Sequence, residues 1–303
     1  MLTAIRRPAR FLAAISAAAL LLAGCSDEPP EMTPVEIPTA EVVLRSAGDG
    51  AKAPVRWIDD GAEQDVTLSV TQGFGQETVG GDGSVPNPSL PDTTMELPLQ
   101  ARTTGSGADR TVDMEVGEPT GTHGDLNKDL ATAEGFRVQW NAGDRGDVSA
   151  LAFGAPEDAT ETARAGVEAS LRQWASLPIV FPEEPIGDRA TWTVSRPVED
   201  LGVDQEITYT LLRRDGDTVD LHVGVRQTPT VRELDGGDGV TLHVVNSQVS
   251  MTDFDLRIDL RKPLPVAGTV SYVLSVGYSG EHGEGAEPDV VQKTLRGFRF
   301  TEG

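Results

Sequence analysis

Cysteine is almost absent from this chain: Cys25 is the single one in 303 residues. No internal disulfide can form, and no cluster of thiolates can hold a metal. Stability must therefore come from burial of apolar surface, for which the chain is long enough, with residues for one large or two ordinary domains. Histidine is scarce too, at four residues, and Lys and Arg together number 25 against 48 Asp and Glu, a formal net charge of −23. A polyanion cannot gain the counterion release that dominates nucleic-acid affinity, and anionic lipid head groups repel it. Nucleic acid is accordingly excluded as an expected partner, and the acidity reads as solubility. No apolar run reaches the roughly 20 residues that a spanning helix needs.

What is present begins at the N-terminus. Arg6, Arg7 and Arg10 precede an apolar run from Phe11 to Ala23, which closes on Leu22-Ala23-Gly24-Cys25. A basic start, a short apolar core and small residues at its end predict an export signal over 1–24. Leu22, Ala23 and Gly24 before Cys25 resemble the lipobox of bacterial lipoproteins. That resemblance implies a diacylglyceryl group, with acyl chains of the palmitate type, on the Cys25 thiol, cleavage before it, and attachment to the extracytoplasmic face of the cell membrane. Two acyl chains suffice for stable anchoring, since each buried methylene contributes about 0.8 kcal/mol. With Cys25 given to lipid, no thiol remains as a nucleophile. Without the three arginines the remainder is still more acidic.

Residues 25–40 carry Pro29, Pro30, Pro34 and Pro38 and read as a tether, which at about 3.1 Å per residue would reach roughly 50 Å. The folded part then shows a period of two, the pattern of half-buried strands. Val66, Leu68 and Val70 alternate with polar residues, as do Val112, Met114 and Val116, and then Phe136, Val138 and Trp140. Met95, Leu97 and Leu99 form another set, where Pro98 predicts an edge strand. A β-rich N-terminal lobe is expected over 41–155. A helix follows from about Pro156 to Ala175, with acidic residues at its start and Ala163, Val167, Leu171 and Trp174 on one stripe. The proline-bearing segment 176–188 reads as a connector, so 156–189 is taken as helix and connector and 190–303 as a second β-rich lobe. There Asp215-Gly216 marks a hairpin turn, and Phe254, Leu256, Ile258 and Leu260 make a clean amphipathic strand. Gln64 to Val70 parallels Gln205 to Leu211, so the two lobes are read as related. The expected class is α+β, mainly antiparallel sheets with one clear amphipathic helix.

Motifs that could carry chemistry are weak. Asp125-Leu126-Asn127-Lys128-Asp129 opens like a calcium loop, but Leu130 and Phe136 stand where the glycine and the closing carboxylate belong, so an Asx-rich turn is expected. Gly277-Tyr278-Ser279-Gly280 approaches a nucleophile elbow with His282 nearby, yet Glu281 replaces the last glycine. His222 and His243 could face one another across a sheet around zinc, without an evident third ligand. Arg145-Gly146-Asp147 reads as a turn. Trp57, Trp140, Trp174 and Trp192 read as core anchors, though Trp174 beside Ile179, Val180 and Phe181 could roof a hydrophobic cavity.

The lipobox, the proline tether and a β-rich domain with one helix resemble uncharacterised cell-envelope lipoproteins of actinobacteria. The expected function is a lipid-anchored, non-enzymatic binding or structural ectodomain without cofactor or metal, whose partner is a protein or a hydrophobic ligand. One alternative resembles the lipid-carrier lipoproteins of the same bacteria, with Trp174, Trp192 and Tyr209 as candidate ligand contacts. Another is a hydrolase of envelope polymers resting on Ser279 and His282.

Overall fold

The computed structural model describes residues 30–79, 89–236, 239–280 and 289–303. Before the principal helix the strands are β1 (Thr33–Val35), β2 (Glu41–Ser46), β3 (Asp49–Ala53), β4 (Gln64–Thr78), β5 (Ser89–Thr104), β6 (Thr111–Val116), β7 (Thr120–Gly121), β8 (Arg137–Ala142) and β9 (Val148–Gly154). After it come β10 (Ile186–Asp188), β11 (Thr191–Val198), β12 (Val203–Asp215), β13 (Thr218–Pro229), β14 (Glu233–Asp235), β15 (Thr241–Asp259), β16 (Ala267–Ser279) and β17 (Val290–Glu302). The helices are α1 (Asn127–Leu130) and the longer α2 (Glu161–Ala175). The protein is mainly antiparallel β: all but β3 and β10, which pair with each other, belong to one 15-stranded sheet.

The neighbour order explains the shape. It runs β1-β9-β8-β6-β5-β4-β17-β16-β15-β13-β12-β11-β2, with β7 and β14 as side pairings. Each half is a meander, and the first long strand, β4, pairs with the last, β17. The two edges, β1 and β2, are joined only by residues 36–40, which span at most about 22 Å. A flat sheet of those strands would hold its edges about 58 Å apart, so the sheet must curl into a nearly closed barrel with a seam between β1 and β2.

Helix α2 and residues 176–186, which lie between β9 and β11 in the chain, fill this curl. The helix starts at Glu161 rather than Pro156, because Thr160 takes the capping position and its hydroxyl accepts from the Ala163 N–H at 3.2 Å. Its buried Ala163, Val167, Leu171 and Trp174 meet strands from both meanders. Trp174 packs 4.4 Å from Trp140 on β8 and 6.0 Å from Phe300 on β17. The Gln173 amide donates to the Thr71 carbonyl of β4.

The segment read from sequence as a connector between lobes is interior: Leu177, Val180, Phe181 and Ile186 are all buried. A buried irregular segment must satisfy its carbonyls, and paired strands β11 and β12 supply the donors. Cross-strand partners Arg196 and Gln205 donate to the carbonyls of Ala175 and Ser176, the latter at 2.6 Å. Cross-strand partners Trp192 and Tyr209 donate to those of Val180 and Pro178, at 2.7 and 2.8 Å. Arg56 completes the set on Pro182 and Glu183.

The sheet runs without a break from one meander to the other and one hydrophobic cluster joins them, so a division into two lobes is not confirmed. Strand β5 lies between β4 and β6 rather than at an edge. Pro98 is tolerated because its hydrogen-bonding side faces the gap between β6 and β7, where only Gly117 N–H reaches its carbonyl, at 2.7 Å. Thr33–Val35, within the stretch read as tether, pairs with Phe153 to Leu151 of β9. The outer face is water-compatible, with cross-strand ion pairs Arg137–Glu115, Arg226–Glu206 and Arg257–Asp220. Among the described residues no helix is long and apolar enough to cross a membrane.

Tyr209→Phe keeps the ring and strands the Pro178 carbonyl without its donor. It is expected to lower the unfolding free energy by about 1–3 kcal/mol, measured by urea denaturation, with no change in the far-UV circular dichroism of the folded state.

Candidate functional site

The seam leaves an opening in the wall. Strand β1 covers β9 only at Leu151–Phe153, and β2 covers β11 only from Thr191 to Ser195, so Arg196 to Val198 have no neighbour on that side. A cleft of about 320 Å³ occupies the gap, lined by Ile37, Pro38, Arg172, Ser176, Arg196 and Val198 among others. Beneath it lies a smaller, mostly apolar cavity of about 50 Å³ whose walls include Trp57, Trp140, Trp174, Leu177, Ile179 and Leu264. Ile37, Leu151, Ala175 and Arg196 line both spaces, so the cleft and cavity adjoin through them.

Arg196 follows Trp192 and Val194 on the inward face of β11, which carries its guanidinium under the barrel wall to the end of α2. Burial there lowers its pKa below the ordinary arginine value, opposed by the neighbouring Tyr209. One nitrogen caps the Ala175 carbonyl, a favourable place for a cation at a helix C-terminus. Its Nε is buried without a hydrogen-bond partner, and among the described residues it forms no ion pair. The buried Nε1 atoms of Trp57 and Trp140 are likewise without partners.

A second arginine at the cavity is fully compensated. Arg110 grips Asp59 with two nitrogens, at 2.5 and 3.0 Å, while Thr103 donates to the same carboxylate at 2.9 Å. Its guanidinium also lies 5.2 Å from the centre of the Trp57 ring. Arg110 is 3% exposed and Asp59 13%.

The residues singled out from sequence fall in several places. Cys25 and His282 lie outside the described residues. Trp174 lines the inner cavity. Trp192 and Tyr209 are completely buried, stacked 5.6 Å apart, with their polar atoms committed to residues 178 and 180. Burial raises the Tyr209 phenol well above its ordinary pKa, an effect that Arg196 opposes.

Asp125 falls in a tight turn, and Asn127 accepts the Gly121 N–H at 2.9 Å, so the acidic stretch is organised as turn chemistry. Ser279 donates to Asp289 at 2.9 Å. The Gly280 N–H first, and the Ser279 hydroxyl second, hold the Asp289 carboxyl below its ordinary pKa. That brace is present at neutral pH and is lost only as pH falls through the depressed value.

His222 and His243 do not face one another. His222 meets Asp255 at 3.4 Å and His243 meets Glu233 at 3.7 Å; Asp255 and His243 are both on β15, about 40 Å apart along the strand. Arg145-Gly146-Asp147 forms a turn whose centre is packed inward. Gly146 adopts φ +92°, and a Cβ there would lie 2.2 Å from the Ile179 carbonyl.

Sequence reasoning missed Arg196, Trp57 and Trp140 as one group, since they come from three distant segments. The signal that existed was the polar Arg196 in register with Trp192 and Val194 on a strand face otherwise apolar. No protein-family model matches this chain, and no curated protein matches it.

Replacing Asp59 by Asn removes the charge that compensates a buried arginine. The Asp59→Asn protein is expected to lose about 3 kcal/mol of stability, read as a lower urea midpoint, whereas Glu115→Gln at an exposed pair should shift it by less than about 1 kcal/mol.

Proposed function

We propose that this chain is a lipid-anchored protein of the extracytoplasmic membrane face, held through Cys25, whose plugged β barrel serves as a non-enzymatic binding or structural ectodomain. The observation that carries the ectodomain reading is the occupied interior. Helix α2 and residues 176–186 take the volume that a carrier would give to a lipid, and the inner cavity beside them holds only about 50 Å³, against the roughly 300–1,000 Å³ usual for ligand pockets. The proposed ligand contacts Trp192 and Tyr209 are engaged in holding that plug, which weighs against the carrier reading. The Ser279 hydroxyl is engaged by Asp289, which weighs against the hydrolase reading.

Anchoring is supported by the lipobox residues and by chain length. Strand pairing begins at Thr33, eight residues after Cys25 in sequence, a reach of at most about 29 Å. The barrel would thus stand close to the bilayer. A shared origin of the two meanders is supported by Gln64 and Gln205 at matching positions of the parallel strands: both are buried, and each donates to a distant main-chain carbonyl, Leu264 and Ser176.

The test is expression of the full chain in a bacterium that processes lipoproteins. Mass spectrometry is expected to find a diacylglyceryl group on Cys25 at the mature N-terminus, and Cys25→Ser is expected to move the protein out of the membrane fraction. An unmodified Cys25, with the variant still sedimenting as before, would overturn the anchor. Native mass spectrometry of the same preparation is expected to show no stoichiometric internal lipid; one bound phospholipid per chain would put the carrier reading in its place.

A further inference from the structure

We infer that the cleft at the β1–β2 seam is a binding site for a small monocarboxylate with a short apolar body, its carboxylate on Arg196 and its body against Ile37 and the mouth of the tryptophan-lined cavity. This deepens the reading of the ectodomain as a binding module and does not depend on the lipid anchor.

Three observations converge on it. The first is an uncompensated charge. A guanidinium offers five N–H donors; Arg196 commits one nitrogen to the Ala175 carbonyl, leaves Nε buried without a partner, and has no ion pair among the described residues. Arg196 is half-buried, so its charge is desolvated in part, and a planar fork is the geometry that a carboxylate meets with two bonds.

The second is the polarity of the buried nitrogens. Trp57 is 6% exposed, its Nε1 has no partner, and a Cβ on Gly146, another wall residue, would lie 3.0 Å from it. Trp140 Nε1 is also without a partner. The buried side-chain atoms without partners in the two walls are therefore all donors, and a ligand that meets them brings an acceptor.

The third is size and rim charge. The cleft, at about 320 Å³, lies within the usual range for small ligands, while the cavity below admits only a few atoms. Arg172 stands beside Arg196 in the cleft, with its guanidinium 5.6 Å from the Phe153 ring centre and no ion pair among the described residues. Glu36, Glu199 and Asp200 also line the cleft. Three carboxylates against two guanidiniums leave the cleft net negative on a chain of net charge −23, which disfavours phosphates and polyanions, so a single carboxylate is favoured only through direct bonds to Arg196. The apolar share of the wall, Ile37, Leu151 and Ala175, asks for an apolar body behind it.

The experiment is isothermal titration of the full chain in non-ionic detergent with 3-phenylpropionate, with 3-phenylpropan-1-ol and inorganic phosphate as comparisons and an empty-micelle blank. Saturable binding of one 3-phenylpropionate per chain is expected, with the alcohol and phosphate each at least about tenfold weaker. Arg196→Gln is expected to weaken 3-phenylpropionate by about tenfold or more, the loss of a charge-assisted hydrogen bond. Because Arg196 also caps α2, Ile37→Trp is the second variant: it fills the cleft, breaks no hydrogen bond, and is expected to abolish binding. Absence of saturable binding, an alcohol that binds as well as the acid, or unchanged affinity in Ile37→Trp would each overturn the site. Loss of acylation at Cys25 would leave this titration unchanged, so failure of the anchor and failure of the site are told apart.

Discussion

The structure depends on one set of hydrogen bonds, those that four inward side chains of β11 and β12 donate to the carbonyls of residues 175–180. Arg196, Gln205, Tyr209 and Trp192 come as two cross-strand pairs, so the spacing of the ladder itself sets the spacing of the donors. An irregular chain inside a barrel is costly unless each of its polar groups is met. Here the wall meets them, and the segment becomes a core element that fixes the C-terminal end of α2. Gln205 extends the arrangement sideways: it accepts from Gln227, which also donates to the Tyr272 phenol, itself pushed up to about 12 chiefly by burial.

A filled interior in turn constrains the wall. The meanders β4–β9 and β11–β17 close on one side by the direct pairing of β4 with β17 along 13 registered positions. On the other side the chain between them is spent inside, as α2 and its sequel, so no meander strand is left to join β9 to β11. The N-terminal segment performs that task in two short pieces, β1 and β2, with residues 36–40 crossing between them. The seam is thus a consequence of using the inter-meander chain as filling, and the cleft sits where the two short strands fall short.

Much of the sheet was legible in the sequence, because alternation survives wherever one face is buried and the other wet. The strand around Leu256 and Ile258 is buried at those positions, and the Asp215-Gly216 turn joins β12 to β13 with Gly216 at φ +61°. The stripe Ala163, Val167, Leu171 and Trp174 is the buried face of α2. The plug was misread because Pro178, Pro182 and Pro185 carry the signature of a linker, while its apolar content, Leu177, Ile179, Val180, Phe181 and Ile186, was the stronger physical signal: exposed linkers do not carry five such residues in ten. Pro98 misled for a related reason. Proline excludes a ladder bond at one position, and an interruption in the neighbouring strand satisfies that as well as an edge does. The seam was not legible at all, since nothing local in Thr33–Val35 announces that it will cover a strand more than a hundred residues away.

The seam also ties the candidate site to the chain's N-terminus. Residues 36–40 both roof the cleft, through Ile37 and Pro38, and follow directly on β1, whose hold on β9 is only three residues long. Short edge pairings are among the weakest parts of a sheet and the first to open. If Cys25 is lipidated as proposed, the membrane tether therefore enters the fold at its most easily opened point, within about 29 Å of the bilayer surface. A half-buried arginine with no ion pair among the described residues costs some desolvation at that point, whereas the neutral donor Gln205 caps the next carbonyl without burying a charge. Sequence alternation would have favoured an apolar side chain after Val194, and the plug would have accepted a neutral one. That the position carries a guanidinium instead is the local departure from the best-folding choice, and such departures are where function is expected to reside.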